Sequence, residues 1–253
     1  MLAAERLQKI VTLVNERGSI RVSELSELFE VTEETIRRDL DKLEGENKLA
    51  RSHGGAVSIK ESQPDVPFPV REATNAQEKI RIAEEAVQHV RPGDRIVLDA
   101  STTAWYMARF LPDFPLTVLT NSIKVAMELS AKEKIEVIST GGTLSSKTLS
   151  YIGPQAERAL DPYHVNKAFL SSKGVHEQGI SESSELHAIV KRKMVAIADR
   201  AFLLADYSKF GVQAFTRIAG WESLHTVITD SRTEESFLAR LREKQVEVIR
   251  VGD

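Results

Sequence analysis

Residues 31–43 read VTEETIRRDLDKL, and this stretch predicts a short helix with two adjacent arginines. Three residues at helical spacing form its apolar side: Ile36, Leu40 and Leu43. Thr32 stands at an N-cap position, just before two acids that suit the first turn of a helix. At about 100° per residue, three residues fall opposite the apolar side: Thr35, Arg38 and Lys42. With Arg37 on the flank, the helix presents cations away from its core.

Two further helices are predicted before this stretch. The first carries apolar residues at i, i+3, i+4 and i+7 and ends at Gly18: Leu7, Ile10, Val11 and Val14. The second is capped by Ser23 and has three apolar positions: Leu25, Leu28 and Phe29. Two short helices joined by a tight turn, with cations on the second, indicate a helix-turn-helix.

A hairpin is predicted directly after the cationic helix, which we expect to end near Asn47. Residues 48–59, KLARSHGGAVSI, read as a strand, a glycine turn and a returning strand. Arg51 and His53 lie on or near this hairpin, within reach of phosphate or the minor groove. The first 58 residues therefore predict a winged helix-turn-helix.

The charge of this region limits how it can meet DNA. Residues 1–60 hold ten basic and eleven acidic side chains, and the whole chain has a formal net charge of −3. A protein that binds DNA through its whole surface is basic, so any contact here must be local. Residues 36–60 hold six basic against four acidic side chains, which fits a local footprint. The alternative is a solvated helix with i,i+4 pairs such as Arg37 with Asp41.

Composition bounds the remaining classes. The chain has 253 residues, no cysteine and no apolar run near the roughly 20 residues that a membrane helix needs. Its N-terminus has charges where an export signal has its apolar centre, so we expect a cytoplasmic protein without membrane contact. The six histidines show no paired ligand spacing, and neither a metal nor a cofactor is expected.

The second part of the chain predicts an α/β domain. Residues 59–74 contain Pro64, Pro67 and Pro69 and are expected to form an extended, fairly stiff linker. From residue 75, seven apolar runs follow, mostly with helical stretches between them: 95–99, 116–120, 135–140, 167–172, 201–206, 225–230 and 246–251. Strands alternating with helices imply a mainly parallel sheet covered on both faces. The expected domains are 1–58 and 75–253.

Polar residues follow five of these strands. The candidate ligand-binding residues are Asp99, Ser101, Thr102, Thr103, Thr120, Asn121, Gly141, Gly142, Lys173, Asp206 and Lys209. Ligands of open parallel sheets bind beyond the carboxyl ends of the strands. The segment STTAW, residues 101–105, opens a helix whose N–H groups suit a phosphate, with Lys173 and Lys209 as compensating charges. Asp99, Asn121 and Asp206 suit sugar hydroxyls. For any single loop, helix capping is the simpler explanation.

An enzyme is the main alternative class. Aldose–ketose isomerisation needs a positioned general base, usually a carboxylate. The glycine pair of TGGTLSS, residues 140–146, is followed by Thr143, and this loop has no carboxylate. Asp99 and Asp206 leave the alternative open, but a non-enzymatic binding domain is favoured.

The N-terminal motifs resemble those of the DeoR-type repressors of bacterial sugar catabolism. That signature has V-[ST]-x-x-T-I-R-R-D-L followed by R-x-H-G-G-A, and residues 31–40 and 51–56 match it. One departure is Asn47, where a glycine often ends the recognition helix. The resemblance implies that Thr35, Arg37 and Arg38 contact bases and phosphates. The full set of expected DNA-binding residues is Thr32, Thr35, Arg37, Arg38, Lys42, Arg51 and His53.

The resemblance extends to about residue 230, through KIRIAEEAV, TGGTL, KAFLSSKGV, VKRKM and LLADYSKF. It implies a fold like that of ribose-5-phosphate isomerase, a phosphorylated sugar as inducer, and a homodimer or homotetramer on double-stranded operator DNA. Ser101 stands where the family usually has glycine, and Leu186 and His187 where it often has acids, with Glu182 and Glu185 displaced nearby. Residues 99–108 and 179–194 look like the rhamnose-use branch, which implies rhamnulose 1-phosphate.

Overall fold

In the computed structural model, the residues described are 3–17, 19–46, 48–52, 54–57 and 66–252. The chain divides into two compact units, one formed by the first 64 residues and one by most of the remaining chain. Among the described residues, no helix is long and apolar enough to cross a bilayer.

The first unit is a winged helix-turn-helix, as predicted. Its described elements are α1 (Ala3–Arg17), β1 (Ser19–Arg21), α2 (Val22–Phe29), α3 (Glu33–Gly45), β2 (Ala50–Ser52) and β3 (Gly55–Val57). The strands form an antiparallel sheet in the order β1-β3-β2. The predicted hairpin is thus confirmed, and β1 adds a third strand that was not predicted because its three residues carry no alternating pattern.

The core of this unit contains the predicted apolar side of α3. Ile36, Leu40 and Leu43 are at most 1% exposed and pack with residues of the other two helices and the sheet. The prediction that Leu28 belongs to this core is wrong, since its side chain is 51% exposed. The prediction that Ser23 caps α2 is also wrong. The helix begins at Val22 with Arg21 as N-cap, because β1 leads directly into it.

The wing depends on its two glycines. Gly54 has φ +88°, which favours glycine, and a Cβ on Gly55 would overlap the Ile20 carbonyl oxygen. Helix α3 ends at Gly45, two residues before the predicted end. Three residues named in the prediction of the winged helix-turn-helix lie outside the described residues: Gly18, Asn47 and His53.

The second unit is built on a seven-stranded parallel sheet. Its strands, in spatial order, are β15 (Glu247–Val251), β14 (Thr226–Asp230), β12 (Ala198–Leu204), β9 (Val165–Leu170), β4 (Arg95–Leu98), β5 (Leu116–Thr120) and β6 (Ile135–Ser139). The helices are α4 (Phe68–Ala73), α5 (Ala76–Val87), α6 (Thr102–Phe110), α7 (Ile123–Leu129), α8 (Gly153–Arg158), α9 (Glu185–Ala196) and α10 (Glu235–Glu243). Each of the seven predicted runs overlaps one strand of this sheet, although β9 and β12 begin two and three residues before their runs.

Two hydrophobic clusters cover the two faces of the sheet. Val97, Leu119 and Leu203 belong to one cluster, while Ile96, Val118 and Phe202 belong to the other. Neighbouring residues of a strand point to opposite faces, so each strand contributes to both clusters. The predicted α/β fold with a mainly parallel sheet is therefore confirmed.

Five short antiparallel strands were not predicted. They are β7 (Thr143–Ser145), β8 (Ser150–Ile152), β10 (Gly174–His176), β11 (Gly179–Glu182) and β13 (Thr216–Ala219). They form the hairpin β7-β8 and the small sheet β10-β11-β13. Strands of three or four residues are too short to show an alternating pattern in the sequence.

The predicted extended linker is wrong for Phe68–Ala73, which form α4. Proline is tolerated in the first turn of a helix, where its missing N–H has no intrahelical partner. Pro67 is the N-cap of α4 and Pro69 lies in its first turn, so these prolines start a helix here. Phe68 is 1% exposed and contacts the Trp105 ring edge-to-face at 5.8 Å, which fixes the helix on α6. Pro64 lies outside the described residues.

Candidate DNA-binding surface and effector cavity

The N-terminus of α3 is fixed by the predicted cap. The Thr35 backbone N–H donates to the Thr32 hydroxyl at 3.3 Å, and the two hydroxyls lie 3.0 Å apart. This hydrogen bond satisfies one of the free N–H groups of the first turn. In a helix-turn-helix, the N-terminal residues of the second helix contact base edges. The cap therefore orders the end of α3 that would enter a groove.

Both arginines of α3 point outward, each beside an acid one turn earlier. Arg37 donates to Glu33 at 2.7 Å, and Arg38 lies 3.5 Å from Glu34 with its side chain 79% exposed. Exposed pairs of this kind contribute little free energy, so DNA phosphates and bases can replace the acids. Lys42 is also exposed on this helix.

Arg51 joins the wing to α3. Its guanidinium donates to the Arg37 carbonyl oxygen at 3.2 Å and lies 3.3 Å from the Asp41 carboxylate, while its backbone N–H donates to Glu44 at 2.7 Å. The predicted alternative pairing of Arg37 with Asp41 therefore does not occur, because Arg51 takes Asp41. Wing and recognition helix are held as one surface.

Asp39 is held away from the outer surface. It accepts from Arg6 of α1 at 2.6 Å, with both side chains 12% exposed. The hydrogen bond to Asp39 raises the pKa of Arg6. This pair braces α3 against α1 and leaves the outer side of α3 to the two arginines.

In the second unit, a cavity of about 210 Å³ lies beyond the carboxyl ends of β4, β9 and β12. These three strands are neighbours in the sheet. The residues that line the cavity are Val66, Arg71, Thr74, Asn75, Lys79, Ser101, Thr102, Thr103, Ser171, Ser172, Lys173, Glu182, Lys191, Asp206, Ser208 and Lys209. The carboxyl ends of adjacent parallel strands are the usual place for a ligand in such a sheet.

One side of the cavity is the N-terminus of α6. Ser101 caps this helix by accepting from the Ala104 N–H at 3.0 Å, and Thr102 and Thr103 form its first turn. The helix dipole and free N–H groups there favour an anion.

A buried ion cluster supports the cavity floor, which is formed by the loops after β4 and β9. Asp99 accepts from the backbone N–H groups of Ser101 and Ser171, each at 3.0 Å, and so joins the ends of β4 and β9. Lys191 of α9 lies 3.2 Å from Asp99 and 2.8 Å from Glu182. Burial alone would lower the pKa of Lys191, but the two carboxylates outweigh burial and raise it.

The corner between α4 and α5 forms another part of the cavity wall. Asn75, in the left-handed conformation, donates to Asp206 at 2.9 Å and to Ser208 at 3.2 Å. The ammonium of Lys79 donates to the carbonyl oxygens of Arg71 and Thr74, both at 2.6 Å. The corner is thus fastened to the loop after β12.

The cavity carries excess positive charge. Five cationic side chains line it against two carboxylates, Glu182 and Asp206. Burial lowers the pKa of Lys79 to about 8, and burial also lowers the pKa of Lys209. Cationic neighbours further disfavour the protonated form of each lysine. An anion in the cavity would therefore stabilise the protonated form of both.

Six of the predicted ligand-binding residues line the cavity: Ser101, Thr102, Thr103, Lys173, Asp206 and Lys209. The other five do not, and the structure gives each a different contact. Asp99 lies under the floor, Thr120 accepts from the Ser122 N–H at 3.0 Å, and Asn121 donates to the Tyr151 carbonyl oxygen at 2.9 Å. Direct ligand contact by these residues stays a prediction.

The two glycines belong to the loop after β6, which lies farther along the sheet than β4. Gly141 has φ +59° and Gly142 φ +107°. A Cβ on Gly142 would also stand 2.9 Å from the Ala156 backbone nitrogen, so glycine is required there for close packing on α8.

Several cavity residues were not singled out as binding residues from the sequence. Lys79 and Lys191 occur in the segments KIRIAEEAV and VKRKM. Both are buried in helices, where lysine is rare, so a lysine on the apolar side of a predicted helix could have marked them. Arg71 and Asn75 lie in or beside the segment read as a linker, so nothing marked them as part of a site.

A winged helix with outward arginines, joined in one chain to an α/β unit with a cationic cavity, defines a DNA-binding transcriptional regulator with a ligand-sensing domain. Residues 6–62 match the DeoR-like helix-turn-helix domain, and residues 74–231 match the DeoR C terminal sensor domain. The chain belongs to the DeoR family. It is therefore a transcriptional regulator and not an enzyme.

Relatives support this membership over nearly the full length. An uncharacterized HTH-type transcriptional regulator of Bacillus subtilis, YulB, is 57% identical, covering 99% of this chain and 98% of that protein. The L-fucose operon activator of Haemophilus influenzae is 39% identical over 89% of this chain and 91% of its own length. The repressor GlcR of Bacillus subtilis is 35% identical, with 98% and 96% covered.

Among solved structures, ribose-5-phosphate isomerase A of Methanocaldococcus jannaschii is similar with a TM-score of 0.41 and 22% identity. The similarity covers 54% of this chain and 55% of that chain.

Proposed function

We propose that the protein represses a sugar-catabolism operon and is released from its operator when a phosphorylated sugar binds the cavity of the second unit. In this proposal residues 1–58 bind DNA, and residues 75–253, together with the cavity residues Val66, Arg71 and Thr74, bind the effector and oligomerise. Because residues 68–73 are helical, the proposed linker shortens to the segment before α4.

Operator recognition is assigned to the outer side of α3 and to the wing. Arginine is the side chain best suited to bidentate contact with guanine in the major groove. Arg37 and Arg38 supply that chemistry, and Thr35 suits a phosphate or a thymine methyl group. Thr32, Lys42 and Arg51 contact the backbone at the rim of the same surface, with His53 as a further candidate on the wing.

The observation that carries the effector proposal is the charge of the cavity. Five cations oppose Glu182, Asp206 and the buried Asp99 beneath, which leaves a formal charge of +2. A phosphate monoester carries a charge of about −1.5 to −2 at neutral pH. The surrounding hydroxyls, from Ser101 to Ser208, suit the polyol part of a sugar.

The proposed sugar is rhamnulose 1-phosphate. Val66 is the one apolar side chain among the described residues around the cavity, and the methyl group is the apolar part of a 6-deoxy sugar. Three relatives are named for the L-fucose operon, and L-fucose is also a 6-deoxyhexose. Specificity for the 6-deoxy group is thus the feature to test.

The proposed assembly is a cytoplasmic homodimer or homotetramer. Two winged helices would then occupy operator half-sites about one helical turn apart or a multiple of it. The effector shifts this assembly only if it binds the DNA-free state more tightly than the DNA-bound state.

Thermal unfolding of the full chain with a panel of sugars identifies the effector. A ligand at about 100 times its Kd stabilises the native state by about 2.7 kcal/mol, so a true effector raises the melting temperature clearly. We expect rhamnulose 1-phosphate and fuculose 1-phosphate to give larger shifts than fructose 1-phosphate, and free rhamnose to give none. Equal shifts for the free and phosphorylated sugars would contradict a phosphate site.

A mobility-shift titration at fixed salt tests the regulatory step. The protein should bind operator fragments from the neighbouring catabolic genes in the absence of sugar. The best ligand of the thermal screen should release these fragments. Operator affinity that stays the same across all phosphorylated sugars contradicts the inducer proposal. If the ligand instead tightened operator binding, the protein would be an activator or a repressor whose ligand acts as a corepressor.

A further inference from the structure

Helix α4 is the first helix after the chain leaves the winged helix, and it also forms part of the effector cavity. Four residues from this stretch line the cavity: Val66, Arg71, Thr74 and Asn75. The helix has only six residues, which is too short to be stable without tertiary contacts. Its position is therefore set by what holds it.

Two cations of the cavity hold the backbone of this stretch. The Arg71 guanidinium donates to the Val66 carbonyl oxygen at 3.1 Å and to the Thr148 carbonyl oxygen at 3.3 Å. The Lys79 ammonium holds the carbonyl oxygens of Arg71 and Thr74. Arg71 thus fastens the start of α4 to the turn before β8, and Lys79 fastens its end to α5.

An aromatic contact connects the same helix to α6. Phe68 packs edge-to-face on Trp105, and its N–H donates to the Lys147 carbonyl oxygen at 2.8 Å. The Tyr106 hydroxyl donates to the Glu72 carbonyl oxygen at 3.4 Å. Helix α4 therefore contacts α6, whose N-terminus is the proposed phosphate site, and also carries Arg71 of the cavity lining.

We propose that Arg71 binds the anionic group of the effector directly and thereby couples effector binding to the position of α4. The inference rests on the proposed effector function. An anion at the α6 N-terminus attracts the guanidinium that now holds the Val66 and Thr148 carbonyl oxygens. A planar five-donor group can contact a phosphate and keep only part of its present contacts, so the hold on α4 changes when the anion arrives. Arg71 is a binding and positioning residue whose loss uncouples α4 from the effector.

Inorganic phosphate is the probe, and Trp105 is the reporter. The chain has two tryptophans, so the full-length W221F variant leaves Trp105 as the only one. Phosphate titration should change the Trp105 emission of W221F. In W221F/R71Q we expect the midpoint to rise at least tenfold and most of the emission change to be missing at saturation, with binding at saturation followed by calorimetry.

Two further variants separate binding from coupling. W221F/K209Q should also bind phosphate more weakly but recover the full emission change at saturation, because Lys209 does not hold α4. W221F/R71K keeps the charge without the planar fork and should show a near-normal midpoint with a reduced emission change. W221F/R91Q, altered at an exposed arginine outside the cavity, should behave as W221F.

The outcomes are distinguishable. If phosphate binds W221F and R71Q leaves both the midpoint and the emission change intact, the coupling inference is wrong and the effector site stands. A merely structural Arg71 would lower the melting temperature of the R71Q variant without moving its phosphate midpoint, which also overturns the inference. If calorimetry detects no phosphate binding to W221F at millimolar concentration, the proposed function fails first.

Discussion

The Lys191 ammonium lies 3.2 Å from a carboxylate oxygen of Asp99, and both side chains are buried, Lys191 in the cavity lining and Asp99 beneath it. Asp99 also holds the backbone after β4 and after β9, while Lys191 donates to the Ser171 carbonyl oxygen at 2.7 Å. The pair therefore supports two of the loops that form the site. Asp99, which the sequence suggested as a partner of sugar hydroxyls, thus holds together the loops that form the cavity floor.

Lys191→Met should destabilise the protein strongly. The substitution leaves Asp99 and Glu182 without their cation in a buried place, which costs about 3–5 kcal/mol. Urea unfolding followed by circular dichroism measures the loss. Lys9→Met is the matched control, since Lys9 pairs with Glu5 on the exposed side of α1 and its removal should leave the urea midpoint unchanged. Equal midpoints for the two variants would show that the buried cluster does not stabilise the fold.

Arg38→Ala should lower operator affinity by about ten- to a hundredfold, the value of one bidentate base contact. Its side chain is 79% exposed and, among the described residues, pairs only with Glu34, so the fold should be unaffected. Mobility shifts at fixed salt and the circular dichroism spectrum test both statements. Glu34→Gln removes the pairing acid instead and should not weaken binding. The assignment of Arg38 to DNA fails if its removal leaves operator affinity unchanged.

Effector affinity should fall as the pH rises through about 8. Burial lowers the pKa of Lys79 to about 8, with Arg71, Glu78, Asp206 and Lys209 as its charged neighbours. A phosphate dianion binds the protonated lysine better, so bound effector raises this pKa. Affinity is then nearly constant below pH 8, declines by up to about tenfold per pH unit above it, and levels off once the pH exceeds the pKa of Lys79 in the effector-bound protein.

Calorimetry between pH 7 and 9.5 checks this, a range in which the phosphate itself is already dianionic. Lys79→Met should bind more weakly at pH 7 and show a shallower decline, with the remaining slope due to Lys209, whose pKa is also lowered. Identical slopes in the variant and the parent chain would exclude Lys79 as the titrating group.

Thr32→Ala should cost about 1 kcal/mol of unfolding free energy, because the Thr35 N–H loses its side-chain acceptor. Ser23→Ala is the matched comparison. The N-cap of α2 is Arg21, which makes no side-chain cap hydrogen bond, and Ser23 lies inside the helix. Its replacement should leave stability unchanged or slightly improved, since alanine has the higher helix propensity. The reverse order of the two effects would mean that the cap of α3 is not formed in solution.

The parts of the fold that could be predicted are those with a regular period. Ile36, Leu40 and Leu43 repeat at helical spacing, and apolar runs such as 116–120 mark the strands of the large sheet. Helix α4 could not be predicted, because prolines suit both an extended segment and a first helical turn. The packing of Phe68 on Trp105, 37 residues later in the chain, decided between them.

The sequence by itself determined the winged helix, its outward arginines and the parallel sheet, because those follow from local spacing and from short turns. It also showed that polar residues follow the strands, but not which of them meet. Only the tertiary structure decided that the ends of β4, β9 and β12 share one cavity while the loops after β5 and β6 do not, since strand order depends on contacts distant in sequence. Arg71, Lys79 and Lys191 joined the site for the same reason: helices packed beside the sheet bring their cations to the loops.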